Sequence, residues 1–325
     1  MTGEAAAPPH APRVGTLRRL LGPLHVTGVF WYRFHRFGAT RPRWVIVPFL
    51  TLFTGFFFLF LFRIRGAIDR NLVPVLGPCG WPRRQVRIFR TLWSFAWCLT
   101  ERYEQGVPGR EVRTTVEGLE HWTGALASDE GFILATAHLG NWEVGSAIPA
   151  TEEGREIHIV REEEMDPRAQ RFVEQVTEEH AVPGQVTHFA GREPALGIAL
   201  LAALRRGALV ALQADRPRTR GSVTTTRMFG RPYGIPEGLL ALARAAGVRV
   251  LPVFVFREGR LRYRVAMRPP VQVPRTEDRE ADFRAAAAAL AGEIEWAIRR
   301  RPHQWFCFGD VWGGTDGAQS TARGT

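Results

Sequence analysis

The chain has 325 residues, 45% of them hydrophobic, with 33 glycines, 22 prolines and three cysteines. That length carries one large domain or two modest ones, and the composition excludes low-complexity, collagen-like and wholly disordered chains. Cys79, Cys98 and Cys307 contain no CxxC pair, so neither a disulfide framework nor a zinc knuckle is expected. The net charge of +11 comes from 43 basic residues, all of them arginine.

Residues 1–90 hold 14 arginines against two acids, Glu4 and Asp69, a surplus of +12 that leaves residues 91–325 at −1. A cationic front end therefore precedes a nearly neutral body. Such a front end suits nucleic acid or an anionic membrane surface, and the residues between the arginines decide. Residues 1–13 are Ala/Pro-rich and read as disordered. Residues 14–111 read as a helical, membrane-associated region. Within it, 44–62 (WVIVPFLTLFTGFFFLFLF) carries no charge and is bracketed by Arg41, Arg43, Arg63 and Arg65. As a helix it is ~28 Å long, close to a bilayer's hydrocarbon thickness. A Phe-rich run of this kind suits lipid rather than a nucleic-acid groove. Pro48 and Gly55 are candidate kinks, so a span, a re-entrant hairpin and an in-plane anchor all fit. Aromatics and arginines mix in residues 27–43, as in an interfacial helix.

Residues 83–105 form a helical pattern through Val86, Phe89, Leu92, Trp93 and Trp97. From about residue 112 to 312, strands alternate with helices. Strands are expected at 132–137, 156–160, 208–213, 248–256 and 261–267. Helices are expected at 141–148, Pro167–Glu179, 195–206, 236–246 and 282–301. This order predicts an α/β fold with a largely parallel sheet flanked by helices. The tail, 313–325, reads as disordered.

The chemistry-bearing stretch is Phe132-Ile-Leu-Ala-Thr-Ala-His138-Leu-Gly-Asn-Trp-Glu143. It places His138 where a buried strand ends and Glu143 in the first turn of the next helix, with Asn141 as its expected N-cap. On one continuous helix the two lie on different faces, so they are expected to meet across a strand–turn–helix junction at Gly140. A carboxylate holding one imidazole nitrogen leaves the other to accept a proton from a hydroxyl. Arg161 and Asp215 follow two further strands. If those strands are parallel, all four residues share one rim, where ligands bind in open α/β sheets. Asp215 also reads as an ion-pair partner of Arg216, and Arg161 as a partner of Glu162–Glu164. Arg216, Arg218, Arg220, Arg227 and Arg231 follow Asp215 without another acid, a cluster suited to phosphate or to an acidic carrier surface. Phe229, Gly230, Pro232 and Gly234 read as turn-shaping. His121, His158, His180, His188 and His303 show no partner spacing.

These blocks resemble the bacterial lipid A late acyltransferases, within the larger glycerolipid acyltransferase group. The resemblance rests on His138-Leu-Gly-Asn-Trp-Glu143, on Leu212-Gln-Ala-Asp-Arg216, on Met228-Phe-Gly-Arg-Pro-Tyr-Gly-Ile-Pro-Glu-Gly-Leu, on the run 248–256 and on Arg301-Pro-His-Gln-Trp305. It covers roughly residues 25–312 with the blocks in order. It implies transfer of a fatty acyl group from an acyl-carrier-protein or acyl-CoA thioester to a hydroxyl of a lipid A-type glycolipid. Other acceptors it allows are a phosphatidylinositol mannoside, an ornithine lipid or a pigment lipid. It further implies that His138 is the general base and Glu143 its orienting acid, with neither metal nor cofactor. Asn141, Trp142, Arg161, Asp215, Arg216 and Arg231 are the candidate substrate-binding residues. The resemblance also places the catalytic domain on the cytoplasmic side of an inner membrane, with no nucleic-acid partner. Oxyanion donors are expected from Arg161 or from backbone N–H groups near Gly140. No GxSxG elbow, GxGxxG or Walker loop occurs, which sets aside serine-hydrolase and nucleotide-binding readings. The remaining alternative class is a non-catalytic, lipid-binding membrane protein that keeps the fold.

Overall fold

The computed structural model describes residues 29–105, 107–143, 154–164, 166–179, 181–216 and 221–312. The expected disordered ends lie outside these residues, as do most of the helix expected over 141–148, His180, Arg218 and Arg220.

Four helices precede the sheet: α1 (Val29–Ala39), α2 (Arg43–Phe60), α3 (Phe62–Leu76) and α4 (Trp81–Glu104). The apolar segment is α2, the one described helix long and apolar enough to cross a membrane. It passes through Pro48 and Gly55 and ends instead at Leu61, whose φ of −99° and ψ of 68° leave the helical region. Ile46, Leu50, Phe53 and Phe57 recur at helical spacing and are buried. They pack on Trp31 of α1, Ile68 and Leu72 of α3, and Ile88, Leu92 and Ala96 of α4. Trp44, Leu52, Leu59 and Phe60 of the same helix stay exposed. The long helix expected at 83–105 begins two residues earlier, with Gly80 at its N-cap and a proline in its first turn.

A seven-stranded sheet follows, in the order β1-β9-β8-β2-β5-β3-β4. Its strands are β1 (Arg113–Glu117), β2 (Phe132–Thr136), β3 (Ile157–Glu162), β4 (Gln185–Ala190), β5 (Leu209–Gln213), β8 (Val250–Gly259) and β9 (Arg262–Met267). The five from β8 to β4 are mutually parallel, while β9 returns antiparallel on β8 and β1 runs alongside β9. A separate hairpin pairs β6 (Val223–Met228) with β7 (Arg231–Pro236). Around these lie α5 (Leu119–Leu126), α6 (Pro167–Glu179), α7 (Leu196–Arg205), α8 (Glu237–Ala246) and α9 (Arg279–Arg300).

β2 shows why the central strands read as continuous apolar runs. Phe132 and Leu134 join Leu209, Val253 and Trp122 on one face. Ile133 and Ala135 join Val210, Leu240, Ala287 and Ile294 on the other. Alternate side chains of a strand point to opposite faces, and here both faces are covered. β1, β4, α5 and the β6–β7 hairpin are not among the elements expected from the sequence. β1 (RTTVE) and β4 (QVTHFA) are edge strands whose side chains alternate too weakly in hydropathy to declare themselves. The hairpin turns on Phe229 and Gly230, both at positive φ (50° and 73°), between the paired residues Met228 and Arg231. That is the geometry of a two-residue hairpin loop.

The helical region is locked to the sheet by buried acids at the end of α4. Arg257 of β8 donates to Glu101 Oε1 from Nε (2.9 Å) and a terminal nitrogen (2.7 Å), and Tyr263 of β9 donates to Oε2. Glu104 meets Arg260 at 3.0 Å and Arg110 at 3.4 Å. Removing one member of a buried pair leaves the other desolvated and unmatched, at a cost of about 3–5 kcal/mol. Glu101→Ala is therefore expected to lower the unfolding free energy by that order in denaturant titration. A change within ~0.5 kcal/mol, the scale of an ordinary surface substitution, would contradict this account of the junction.

Candidate active site

β2 and β5 are neighbours, and their last residues, Thr136 and Gln213, are partners in the ladder. One more rung follows, Ala214 N–H donating to Thr136 O at 2.8 Å. Side chains two residues apart on a strand share a face, so the next pair on the Thr136/Gln213 face is His138 and Asp215. They meet there: His138 Nδ1 and Asp215 Oδ1 are 2.7 Å apart, both residues buried.

Asp215 is sealed from solvent. Its second oxygen accepts from Trp305 Nε1 (3.1 Å) and Cys307 Sγ (3.4 Å), and its backbone carbonyl accepts from the Tyr233 hydroxyl. Burial pushes the Asp215 carboxyl up, but its contact with His138 and the Arg216 charge outweigh it. They hold the group far below the usual carboxylate range. Burial, and then the Asp215 charge, push the Cys307 thiol and the Tyr233 phenol well above their usual values, so both remain neutral donors.

At the other ring nitrogen, a terminal nitrogen of Arg216 lies 2.6 Å from His138 Nε2. A guanidinium cannot accept, so Nε2 carries the lone pair and Nδ1 the proton. That is the tautomer a general base needs. Trp142 stands edge-on to the imidazole, with ring centroids 5.2 Å apart.

The turn after His138 is stitched to the C-terminal segment. Phe306 N–H donates to His138 O (2.7 Å) and Gly140 N–H to Gln304 O (2.8 Å), while Leu139 bridges Trp305. Gly140 has φ +60°, and a Cβ there would lie 1.9 Å from the Val255 carbonyl oxygen, so only glycine fits.

The carboxylate that orients His138 is thus Asp215, which corrects the expectation for Glu143. Glu143 is instead gripped by Arg161 of β3 (2.5 Å) and by Arg102 of α4. Burial raises its carboxyl, but the two guanidinium charges and their hydrogen bonds prevail and lower it. Asn141 is not displayed toward a substrate. It is buried and donates to Cys98 O (3.3 Å) and Tyr263 Oη (3.2 Å), tying the turn to α4 and β9. Arg231 lies exposed at the start of β7, and no hydrogen bond or ion pair brings it to His138. The hairpin reaches the site through Tyr233 instead. Of the expected oxyanion donors, Arg161 is engaged with Glu143 and the Gly140 N–H with Gln304. Trp142, Asp215 and Arg216 do converge on His138. Tyr233, Trp305 and Cys307 belong to the same network, and Arg102 to that of Glu143. The sequence signals for these were the Met228–Leu239 block, which contains Tyr233, and the Arg301–Trp305 block. Among the described residues no His/Cys/Asp/Glu cluster has the geometry of a metal site.

A histidine held by a buried carboxylate at the carboxyl ends of two parallel strands lies where ligands bind in α/β sheets, in an arrangement that suits general-base chemistry. The family model for bacterial lipid A biosynthesis acyltransferase matches residues 39–313, and the chain belongs to that family. It is similar to a phosphatidylinositol mannoside acyltransferase of Mycobacterium tuberculosis, 27% identical over 204 residues, or 62% of this chain and 61% of the relative. It is also similar to one from Mycolicibacterium smegmatis, 25% identical over 248 residues, or 75% of this chain and 78% of the relative. The aligned stretch spans about three-fifths of the Mycobacterium tuberculosis relatives' length.

Asp215 and Glu143 are both held below the ordinary carboxylate range in the folded chain. A depressed carboxylate contributes stability above its unfolded value of ~4 and loses it as pH falls toward the folded value. Urea titrations of the native chain and Asp215→Asn are expected to show a stability gap that is full at neutral pH. It should narrow as pH drops from about 5 to 3. A gap that widens on acidification would refute the assignment.

Proposed function

We propose that the protein is a membrane-associated O-acyltransferase. It moves a fatty acyl group from an acyl-carrier-protein or acyl-CoA thioester to a hydroxyl of a glycolipid, without a metal or other cofactor. The observation that carries this reading is His138 held between Asp215 and Arg216, with Nδ1 on the carboxylate and Nε2 toward the guanidinium. In the reaction Nε2 takes the proton of the acceptor hydroxyl as the oxygen attacks the thioester carbonyl. The C–S bond then breaks, and the proton passes to the departing thiolate. Asp215 stabilises the imidazolium between these steps.

For the acceptor we favour a mannosylated phosphoinositide over lipid A. The support is that the curated relatives carry the name phosphatidylinositol mannoside acyltransferase. Lipid A, the acceptor in the family's name, is the second reading. The exposed Trp44, Leu52, Leu59 and Phe60 of α2, with Phe62 and Trp81 beyond, support contact with lipid tails. Arg41, Arg43, Arg63 and Arg65 at its ends suit phosphate headgroups. We place this face on the inner membrane, with the sheet on the cytoplasmic side. Lipid analysis of a deletion strain distinguishes the acceptors. Loss of an acylated phosphoinositide supports our choice, and a change confined to lipid A overturns it.

His138→Ala is expected to lower kcat by about 10²–10⁴, the range for a positioned general base. Asp215→Asn should approach that loss. Glu143→Gln, which loosens Arg102 and Arg161 but leaves the His138–Asp215 bond, should lose less. Steady-state acyl transfer by the purified variants checks this order. A larger loss for Glu143→Gln than for Asp215→Asn would return the orienting role to Glu143.

A further inference from the structure

The lone pair that His138 needs for catalysis is already occupied. Arg216 donates to Nε2 at 2.6 Å, and a hydroxyl cannot hand its proton to that nitrogen while the guanidinium sits there. The partner is also a poor match for an arginine. Among the described residues no carboxylate forms an ion pair with Arg216, and its only hydrogen bond is to the uncharged imidazole. Arg161 and Arg102 nearby are each satisfied by Glu143. A guanidinium binds phosphate bidentately and far more strongly than it binds a neutral ring nitrogen. The side chain is half-buried, so an incoming headgroup can reach it.

We propose that Arg216 is a substrate-operated cap on the general base: it covers His138 Nε2 while the acceptor is absent, and a phosphate on the incoming lipid draws it away. This rests on the acyltransferase reading above and adds a function to it. An enzyme that binds a thioester beside an uncovered base hydrolyses it, with water in place of the hydroxyl giving a free fatty acid and a thiol. The cap withholds the base until the phosphate-bearing acceptor arrives, and so couples deprotonation to the correct nucleophile. Arg216 is a positioning residue acting through His138.

The test uses the purified full-length chain with palmitoyl-CoA in phosphatidylcholine vesicles, following release of the CoA thiol with no acceptor present. Arg216→Gln is expected to raise this hydrolysis about tenfold, the factor for losing roughly one hydrogen bond. Arg216→Lys, which keeps a donor and a charge, should stay near the native rate. In the native chain, phosphatidylinositol added to the vesicles should stimulate hydrolysis several-fold, and the stimulation should vanish in Arg216→Gln. Inorganic phosphate forms a parallel arm: stimulation by both sources assigns the trigger to any phosphate, and stimulation by the lipid alone assigns it to a headgroup. A native chain that responds to neither source overturns the proposal without reference to any variant. So does a folded Arg216→Gln whose hydrolysis is unchanged or lower. The double variant His138→Ala/Arg216→Gln separates the two levels. If it hydrolyses as fast as Arg216→Gln, the general-base assignment of His138 fails and the cap with it; if it is inactive while Arg216→Gln hydrolyses at the native rate, the cap alone fails.

Discussion

An ionised carboxylate sealed from solvent must be satisfied on every side, and the groups that satisfy Asp215 come from distant parts of the chain. His138 arrives from the end of β2, while Trp305 and Cys307 come from the segment after α9. Tyr233, reaching from the β6–β7 hairpin, binds the residue's backbone carbonyl. Each contact fixes one element against the others, so a single buried charge organises the rim of the sheet. It also selects the histidine tautomer, since Asp215 can only accept and Arg216 can only donate. The tautomer of the imidazole thus follows from the same bonds that hold the rim together.

A second buried charge network, built around Glu101, Glu104 and Glu143, does the corresponding work between the helical region and the sheet. α4 carries Glu101, Arg102 and Glu104 in one turn. Through them it reaches the β8–β9 hairpin, the turn after His138 and the strand bearing Arg161. α2 packs on this helix through a narrow apolar seam and leaves its opposite face outward. The exposed apolar face of α2 and the rim bearing His138 are therefore joined through one helix.

Much of the fold was legible because its central strands are buried on both faces and its helices are long and amphipathic. β2, β5 and β8 read as apolar runs, and α4 as a periodic one. The edge strands β1 and β4 were not legible, because an edge strand with one solvated side carries polar residues that resemble a loop. Within the site, His138 stood out through the motif around it and Asp215 through its place after a buried strand. Arg102 and Cys307 carried no signal, since each reaches the site from an element whose docking no local pattern specifies.

The sequence by itself determined that a histidine closes one buried strand, that an acid and an arginine close another, and that a cationic apolar region precedes both. It favoured Glu143 as the partner of His138, through the motif they share and a strand–turn–helix junction at Gly140. The tertiary structure decided otherwise. β2 and β5 lie side by side in register, which brings Asp215 to the imidazole across 77 residues of chain, while Arg102 and Arg161 claim Glu143. Strand adjacency in a parallel sheet is set by the crossovers and by what the intervening helices bury. The partner of a buried histidine is therefore a property of the assembled sheet, and spacing along the chain does not contain it.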